Sequence, residues 1–415
     1  MKKIIISMAA ASLVATSAMA ADKGIDFTTT GQAVVFYQTA DTAGDDLFDQ
    51  SKASANIGIQ LNNVADLKNG FTLGTQLTYL GTAGLEKNLV SGTMQNVGGV
   101  VSMNDSTDEI ALTKIYLAKK VANTTVKIGR QELPKALSPL AFSEGWNVFK
   151  NTYEAALLVN TDLPNTTIVG AYVGQSNKHS DLGSFTDLTV SSTAGALAVT
   201  KEAYMLTVLN TSLPMTTLTG SYYALKGITA ADSADAVWLD AKVAGKSLPM
   251  GLKAGLQVGS IMPEASITSD TNVVGLKAGV SPMESLTVCG AFTYVSGEKD
   301  SAKHIAAVKN TGTGVKTPLY TQIVGNQNAI ALDAKTVMLK GAYSLNKDSK
   351  IIAQGSYTQA GSRNLNGNGN DNTDLELLYT TKVSGMNLLA GYLNVKNDND
   401  DVANHIVRVV ARYNF

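Results

Sequence analysis

Two arginines, Arg408 and Arg412, lie four residues apart in the closing run His405-Ile-Val-Arg-Val-Val-Ala-Arg-Tyr-Asn-Phe415. On an extended strand that spacing puts both guanidiniums on one face with Asn414. Val407, Val409, Ala411, Tyr413 and Phe415 then fall on the other. Basic residues occupy the polar phase of comparable segments at Lys127, Lys242, Lys253, Lys277, Lys340 and Lys382, and the acids Glu154, Asp240 and Glu376 share it. A charge facing hydrocarbon costs about 2–4 kcal/mol at mid-depth, so each is assigned to the inner wall of a barrel. The chemistry open to such a set makes no bonds. Fixed charges around a water-filled tunnel bias which ions and solutes enter it. Eight basic against three acidic residues predict a net-basic lumen that favours anions, carboxylate-bearing solutes among them. The alternative is an inner wall that is merely solvated, its charges screened and weakly selective.

Residue sets for covalent or metal chemistry are missing. His179, His304 and His405 are far apart, with no metal-ligand spacing, and no Gly-x-Ser-x-Gly, phosphate-binding glycine loop or Cys/His pair occurs. No cofactor, no metal and no enzymatic activity are expected. The lone Cys289 excludes a disulfide framework and reads as a small strand residue.

The elements that must carry the charges are strands. Eighteen segments of strand character run from 27–38 to 403–415, most about ten residues long, the length that crosses a bilayer at a tilt. Sixteen remain if two weak segments are loops. Alternation is clear where Phe71, Leu73, Leu77 and Tyr79 oppose Thr72, Gln76 and Thr78, and ambiguous over 109–119. Every second connection is short and carries Pro, Gly, Asn or Asp, as in Asp162-Leu-Pro-Asn165, Leu213-Pro214, Asn346-Lys-Asp348 and Ser384-Gly385. The intervening ones, about 82–108, 133–151, 177–201, 297–334 and 361–372, are long. Short turns on the periplasmic side and long external loops are the plan of a transmembrane antiparallel β-barrel. A β-sandwich would not sort its loops this way, and no 20–30-residue repeat suggests a solenoid. Tyrosines near strand ends, such as Tyr79, Tyr172, Tyr222, Tyr294 and Tyr392, suit aromatic girdles.

The ends of the chain agree. Met1-Lys2-Lys3, an apolar run over residues 4–14 and Ala18-Met19-Ala20 form a secretory signal over residues 1–20, leaving 21–415 as one barrel domain. The apolar run is too short to span as a helix. Without it the chain has 31 basic and 34 acidic residues, a net charge of −3, which argues against nucleic acid as partner. The terminal Tyr413 and Phe415 resemble the signal that delivers outer-membrane barrels to the barrel-assembly machinery. The outer membrane of a Gram-negative cell, with its lipid and lipopolysaccharide, is the expected site.

The segment from Gly129-Arg-Gln through Trp146 to Lys150 is too apolar for a free loop: Leu137, Leu140, Phe142, Trp146 and Phe149 need somewhere to bury. Folding into the lumen would supply it. This run, continuing to Asn160-Thr-Asp-Leu-Pro-Asn-Thr-Thr-Ile-Val-Gly-Ala-Tyr172, resembles the OprD-like porins, including the major outer membrane protein of epsilon-class proteobacteria. The match is close over about 129–175 and general elsewhere. The resemblance implies eighteen strands, a homotrimer, a basic ladder in the lumen and an inward third loop. It makes Arg130 the leading pore-lining candidate, with Lys135 and Glu144 on the constriction loop. Strict alternation instead puts Arg130 with Val126 and Ile128 on the outer face, at a barrel–barrel interface. A bulge at Gly129 would turn it inward, and the inward position is the expectation.

The reading is a porin passing ions and small hydrophilic solutes. A barrel lipid hydrolase would need a Ser–His–acid set on the outer rim, which cannot be assembled. A surface adhesin with little channel activity would not explain the loop order. The acids Asp41, Asp45, Asp46 and Asp49 of the first loop and Asp398, Asp400 and Asp401 of the last could hold divalent cations shared with lipopolysaccharide, or serve solubility alone. Asn366-Gly-Asn-Gly-Asn-Asp-Asn372 is a single copy and reads as a flexible turn.

Overall fold

The structure is a computed structural model that describes residues 25–41, 46–96, 109–177, 180–191, 197–227, 233–264, 268–297, 304–325, 330, 333–360, 371–398 and 400–415. The signal segment 1–20, Asp45, His179 and the Asn366–Asn370 stretch lie outside these.

Eighteen antiparallel strands form the wall: β1 (Asp26–Asp41), β2 (Ala53–Lys68), β3 (Phe71–Gly81), β4 (Glu109–Val121), β5 (Thr124–Gln131), β6 (Tyr153–Asn160), β7 (Thr166–Asn177), β8 (Glu202–Asn210), β9 (Thr216–Lys226), β10 (Ala234–Ala244), β11 (Lys253–Pro263), β12 (Thr271–Met283), β13 (Leu286–Gly297), β14 (Ala334–Ser344), β15 (Ser349–Gln359), β16 (Asn372–Val383), β17 (Met386–Asn397) and β18 (Asn404–Asn414). Each pairs with its chain neighbours. β18 returns to β1, from Gln32↔Asn414 to Asp41↔His405, and closes the barrel. The count is eighteen, not sixteen. Closure leaves no unpaired sheet edge, which lets such a wall sit in hydrocarbon.

Period-2 patterning decides the two faces. On β14, Val337 and Leu339 are 56% and 63% exposed outward, while Thr336 and Met338 are buried inward. On β3, Gln76, Thr78 and Leu80 are buried inward, as the sequence phase requires. Short turns use the left-handed backbone that tight hairpins need: Ser384 and Gly385 between β16 and β17 have φ of 49° and 84°. The seam is tightened where Phe415 and Gly31 exchange backbone hydrogen bonds of 2.6 and 3.0 Å. The Phe415 ring lies where a Cβ on Gly31 would be.

Two loops fill part of the barrel. One runs between β5 and β6 and buries Leu133, Leu140, Phe142, Val148 and Phe149, as expected of it. The other lies between β13 and β14. The alternation of short and long connections predicts an external loop over about 297–334. Within it Ala306, Ala307, Val308, Leu319, Ile323 and Ile330 are buried against the inner wall. Their apolarity required it, by the argument that sent the first loop inward.

The bulge expected at Gly129 is absent. The β4–β5 ladder runs unbroken through Tyr116↔Gly129 and Ile115↔Arg130. The irregularity lies on β4 instead. There Gln76 pairs Lys114 and Leu77 pairs Leu112, leaving Thr113 as the extra residue.

Candidate pore and constriction

The first inward loop (132–152) is anchored at its root by Gln131, whose Nε2 donates to the carbonyls of Gly129 at 3.2 Å and Ala155 at 3.0 Å. Its far end is tied to the β3–β4 connection and to the wall at β1 and β3. Gln95 and Phe149 exchange hydrogen bonds of 2.8 and 3.0 Å, and the Phe149 ring packs with Phe36 and Leu80. The two terminal-strand arginines meet this end. Arg408 donates to Gln38 Oε1 at 2.6 and 2.9 Å and to the Trp146 carbonyl at 3.3 Å. Arg412 donates to the Val148 carbonyl at 2.9 Å and to Gln32. Three apolar neighbours alternate out on the same strand, so the pleat alone aims both guanidiniums at the loop.

The second inward loop (304–325) packs on the first. Thr311 donates from its N–H and its hydroxyl to the Leu140 carbonyl, both at 2.8 Å, and Lys135 Nζ donates to the Thr317 carbonyl at 2.9 Å. Trp146 stands between two cations: Lys316 Nζ is 4.9 Å and the Arg408 guanidinium carbon 5.7 Å from its ring.

Three cavities surround these loops. One, of about 360 Å³, is lined by Lys135, Lys242, Lys277, Asp240 and Tyr320. Its acid is shared: Lys242 Nζ is 2.9 Å from Asp240 Oδ1, and the Tyr320 hydroxyl donates to Oδ2 at 2.8 Å. A second, about 380 Å³, lies beneath Trp146 with Lys382, Arg408 and Arg412 among apolar side chains. A third, about 610 Å³, has a wall of amides, Gln32, Gln60, Asn62 and Gln76, with Lys114, Glu132, Lys150 and Arg412. Burial pushes the Lys135 ammonium down to about 8, helped by Lys242 and resisted by Glu144. Burial likewise takes Lys316 to about 8 against the pull of Glu144. Burial raises Glu132, but Lys114 and Lys150 outweigh it and hold its carboxyl below the usual range.

The residues singled out from sequence divide into two groups. Lys127, Asp240, Lys242, Lys253, Lys277, Lys340, Lys382, Arg408 and Arg412 occupy inward positions of their strands, and Lys135 and Glu144 lie on the first loop. Lys253, Lys340 and Lys382 sit toward the short-turn end. Arg130 and Glu154 correct the expectation. They pair across β5 and β6 at 2.7 Å on the outer face, beside Ile115 and Ile128, with the Phe185 ring 3.7 Å from the Arg130 guanidinium. With no bulge at Gly129, alternation sends Arg130 outward, and Glu154 follows as its direct cross-strand partner.

Sequence reading missed Lys114, Lys316 and Asp374. Lys114 points inward only because the Thr113 bulge inverts the phase of β4. Lys316 lies on the loop taken for external. Asp374 is two residues from Glu376 in the same inward row and could have been found there. Among the described residues no three His, Cys, Asp or Glu side chains gather as a metal site.

No family model matches the sequence, and no curated protein matches it. Solved structures do. OccK8 (OprE) of Pseudomonas aeruginosa superposes with a TM-score of 0.74 at 12% identity, covering 94% of this chain and 98% of that one. OccAB3 of Acinetobacter baumannii gives 0.73 at 15% identity, with 94% and 99% covered. P. aeruginosa OpdK, in a structure with vanillate, gives 0.73 at 11% identity, with 94% and 98% covered. The eighteen-stranded barrel is therefore the fold of these proteins.

Proposed function

We propose that this protein is a porin of a Gram-negative outer membrane, forming a water-filled channel for passive diffusion of ions and small hydrophilic solutes. The observation that carries the reading is the closed barrel itself: apolar side chains outside, and inside a lumen narrowed by two folded-in loops with charges around the remaining space. A solid core would serve a structural or adhesive barrel better than three cavities edged by charged side chains do. The likeness in fold to OpdK and its relatives supports it.

The lumen favours anions, carboxylate-bearing solutes among them. Lys135, Lys242 and Lys277 face one cavity against the single acid Asp240. Ammoniums crowded at this density repel one another, and an entering anion relieves that repulsion. That OpdK was solved with vanillate, a carboxylate, agrees. The chain reaches its membrane through a cleaved signal over residues 1–20 and the barrel-assembly machinery, and works there as a homotrimer among lipid and lipopolysaccharide. Purified protein in a planar bilayer tests the reading. Discrete conductance steps with a reversal potential favouring anions in a salt gradient are expected; a folded barrel that passes no current would defeat the porin assignment, and a cation-selective one the anion preference.

A further inference from the structure

Glu144 is 4% exposed and lines none of the three cavities described above, so its carboxylate is not placed to meet a passing solute. Its two oxygens are instead crowded with donors. Oε2 accepts from Trp146 Nε1 at 2.7 Å. Oε1 accepts from Asn310 Nδ2 at 2.8 Å, from the Lys316 N–H at 3.0 Å and from the Thr313 hydroxyl. Trp146 belongs to the first inward loop; the other three belong to the second. The first loop just beyond Glu144 is bound to the wall through Arg408 and Arg412, and to the β3–β4 connection through Gln95. Glu144 thus stands where the second loop meets the wall-anchored part of the first.

We propose that Glu144 is a positioning residue, the fastener that makes two inward loops separated by more than 150 residues behave as one constriction body. Lys316 reaches its place over Trp146 because its own backbone N–H and the neighbouring Thr313 and Asn310 are held by this one carboxylate. The arrangement suits a carboxylate and nothing else. Three donors converge on Oε1 and the fourth on Oε2, so both terminal atoms must accept, which a carboxylate does and a carboxamide cannot. A glutamine would turn an N–H₂ toward either Trp146 or the second loop. An alanine would take the shared acceptor away from all four, the buried Lys316 N–H among them.

The inference rests on the channel reading for its electrical test and not for its second test. Wild type, Glu144→Gln, Glu144→Ala, Thr313→Val and the Glu144→Ala/Thr313→Val double variant would be purified and checked as heat-modifiable barrels. Each would be recorded in planar bilayers and digested with trypsin while folded, following cuts after Lys309 and Lys316. Glu144→Gln and Glu144→Ala remove the same charge, so a purely electrostatic role shifts the reversal potential equally in both and leaves gating and digestion at wild-type rates. That result would overturn the proposal. The fastener requires a graded series instead. Glu144→Ala should cut about tenfold faster and flicker between conductance levels about tenfold more often, Glu144→Gln should fall between, and Thr313→Val, whose hydroxyl donates to Glu144, should add nothing to Glu144→Ala. Should folded wild type carry no current, the porin reading fails while digestion still decides the fastener.

Discussion

Arg130 and Glu154 face each other across β5 and β6 at 2.7 Å on the outside of the barrel, 26% and 42% exposed. The residue that a family resemblance marked first as pore-lining is therefore part of the outer surface. Arg130 also donates to the Leu112 carbonyl at 2.7 Å and lies under Phe185, from the short strand Phe185–Asp187 that pairs with the end of β7. It ties the loop-end rim together where β5 and β6, at eight residues each, are the shortest strands of the wall.

Arg130→Ala should leave conductance and ion selectivity at wild-type values, since the guanidinium does not face the lumen. Unfolding in urea, followed by the heat-modifiable gel shift, should show a loss of about 1 kcal/mol, because the pair is partly solvated. A collapse of anion preference in this variant would return Arg130 to the lumen.

Lys277→Ala is expected to do the reverse. Lys277 shares its cavity with Lys135 and Lys242, so its removal should shift the zero-current potential toward cations with little effect on unfolding. An unmoved zero-current potential would mean that these charges are screened.

Selectivity should depend on pH near 8. Lys135 and Lys316 have ammonium groups that burial brings down to about 8, so both are charged below that pH and neutral above it. Titrating from pH 7 to pH 9 removes positive charge from the constriction, and anion preference should fall with a midpoint near 8. An ordinary lysine would hold its charge throughout this range.

Gly129→Ala should destabilise the barrel by about 1–3 kcal/mol, with conductance of the folded fraction unchanged. Gly129 has φ of 123°, and a Cβ there would press on the Ile115 carbonyl. Urea midpoints of the folded band measure this directly.

Much of this architecture is legible in the residues. Period-2 alternation ending at Phe415 set the phase of β18, and the same rule places Lys242 and Lys277 correctly from one dimension of information. It failed where the count slipped. A single extra residue at Thr113 hides Lys114, and no residue type announces a bulge of that kind. Gly129 invited one and has none, because its positive φ serves a close approach of β5 to β4. The second inward loop was readable but unread: Ala306, Ala307, Val308, Leu319 and Ile323 gave the signal that Leu140 and Phe142 gave in the first. Its docking onto Glu144 could not be read, since the contact joins residues about 170 apart.

The amide wall of the larger cavity carries one more implication. Gln60 donates to Thr78 at 3.0 Å, Gln76 donates to Asn62 at 2.7 Å, and Thr113 donates to Gln76 at 2.8 Å. Polar atoms already matched to one another leave few open valences for anything that slides past. A solute on that side keeps its own hydration shell and has little reason to linger. The wall is polar enough to stay wet and too self-engaged to be adhesive, so traffic there is paced by the charged loops and not by friction along the barrel.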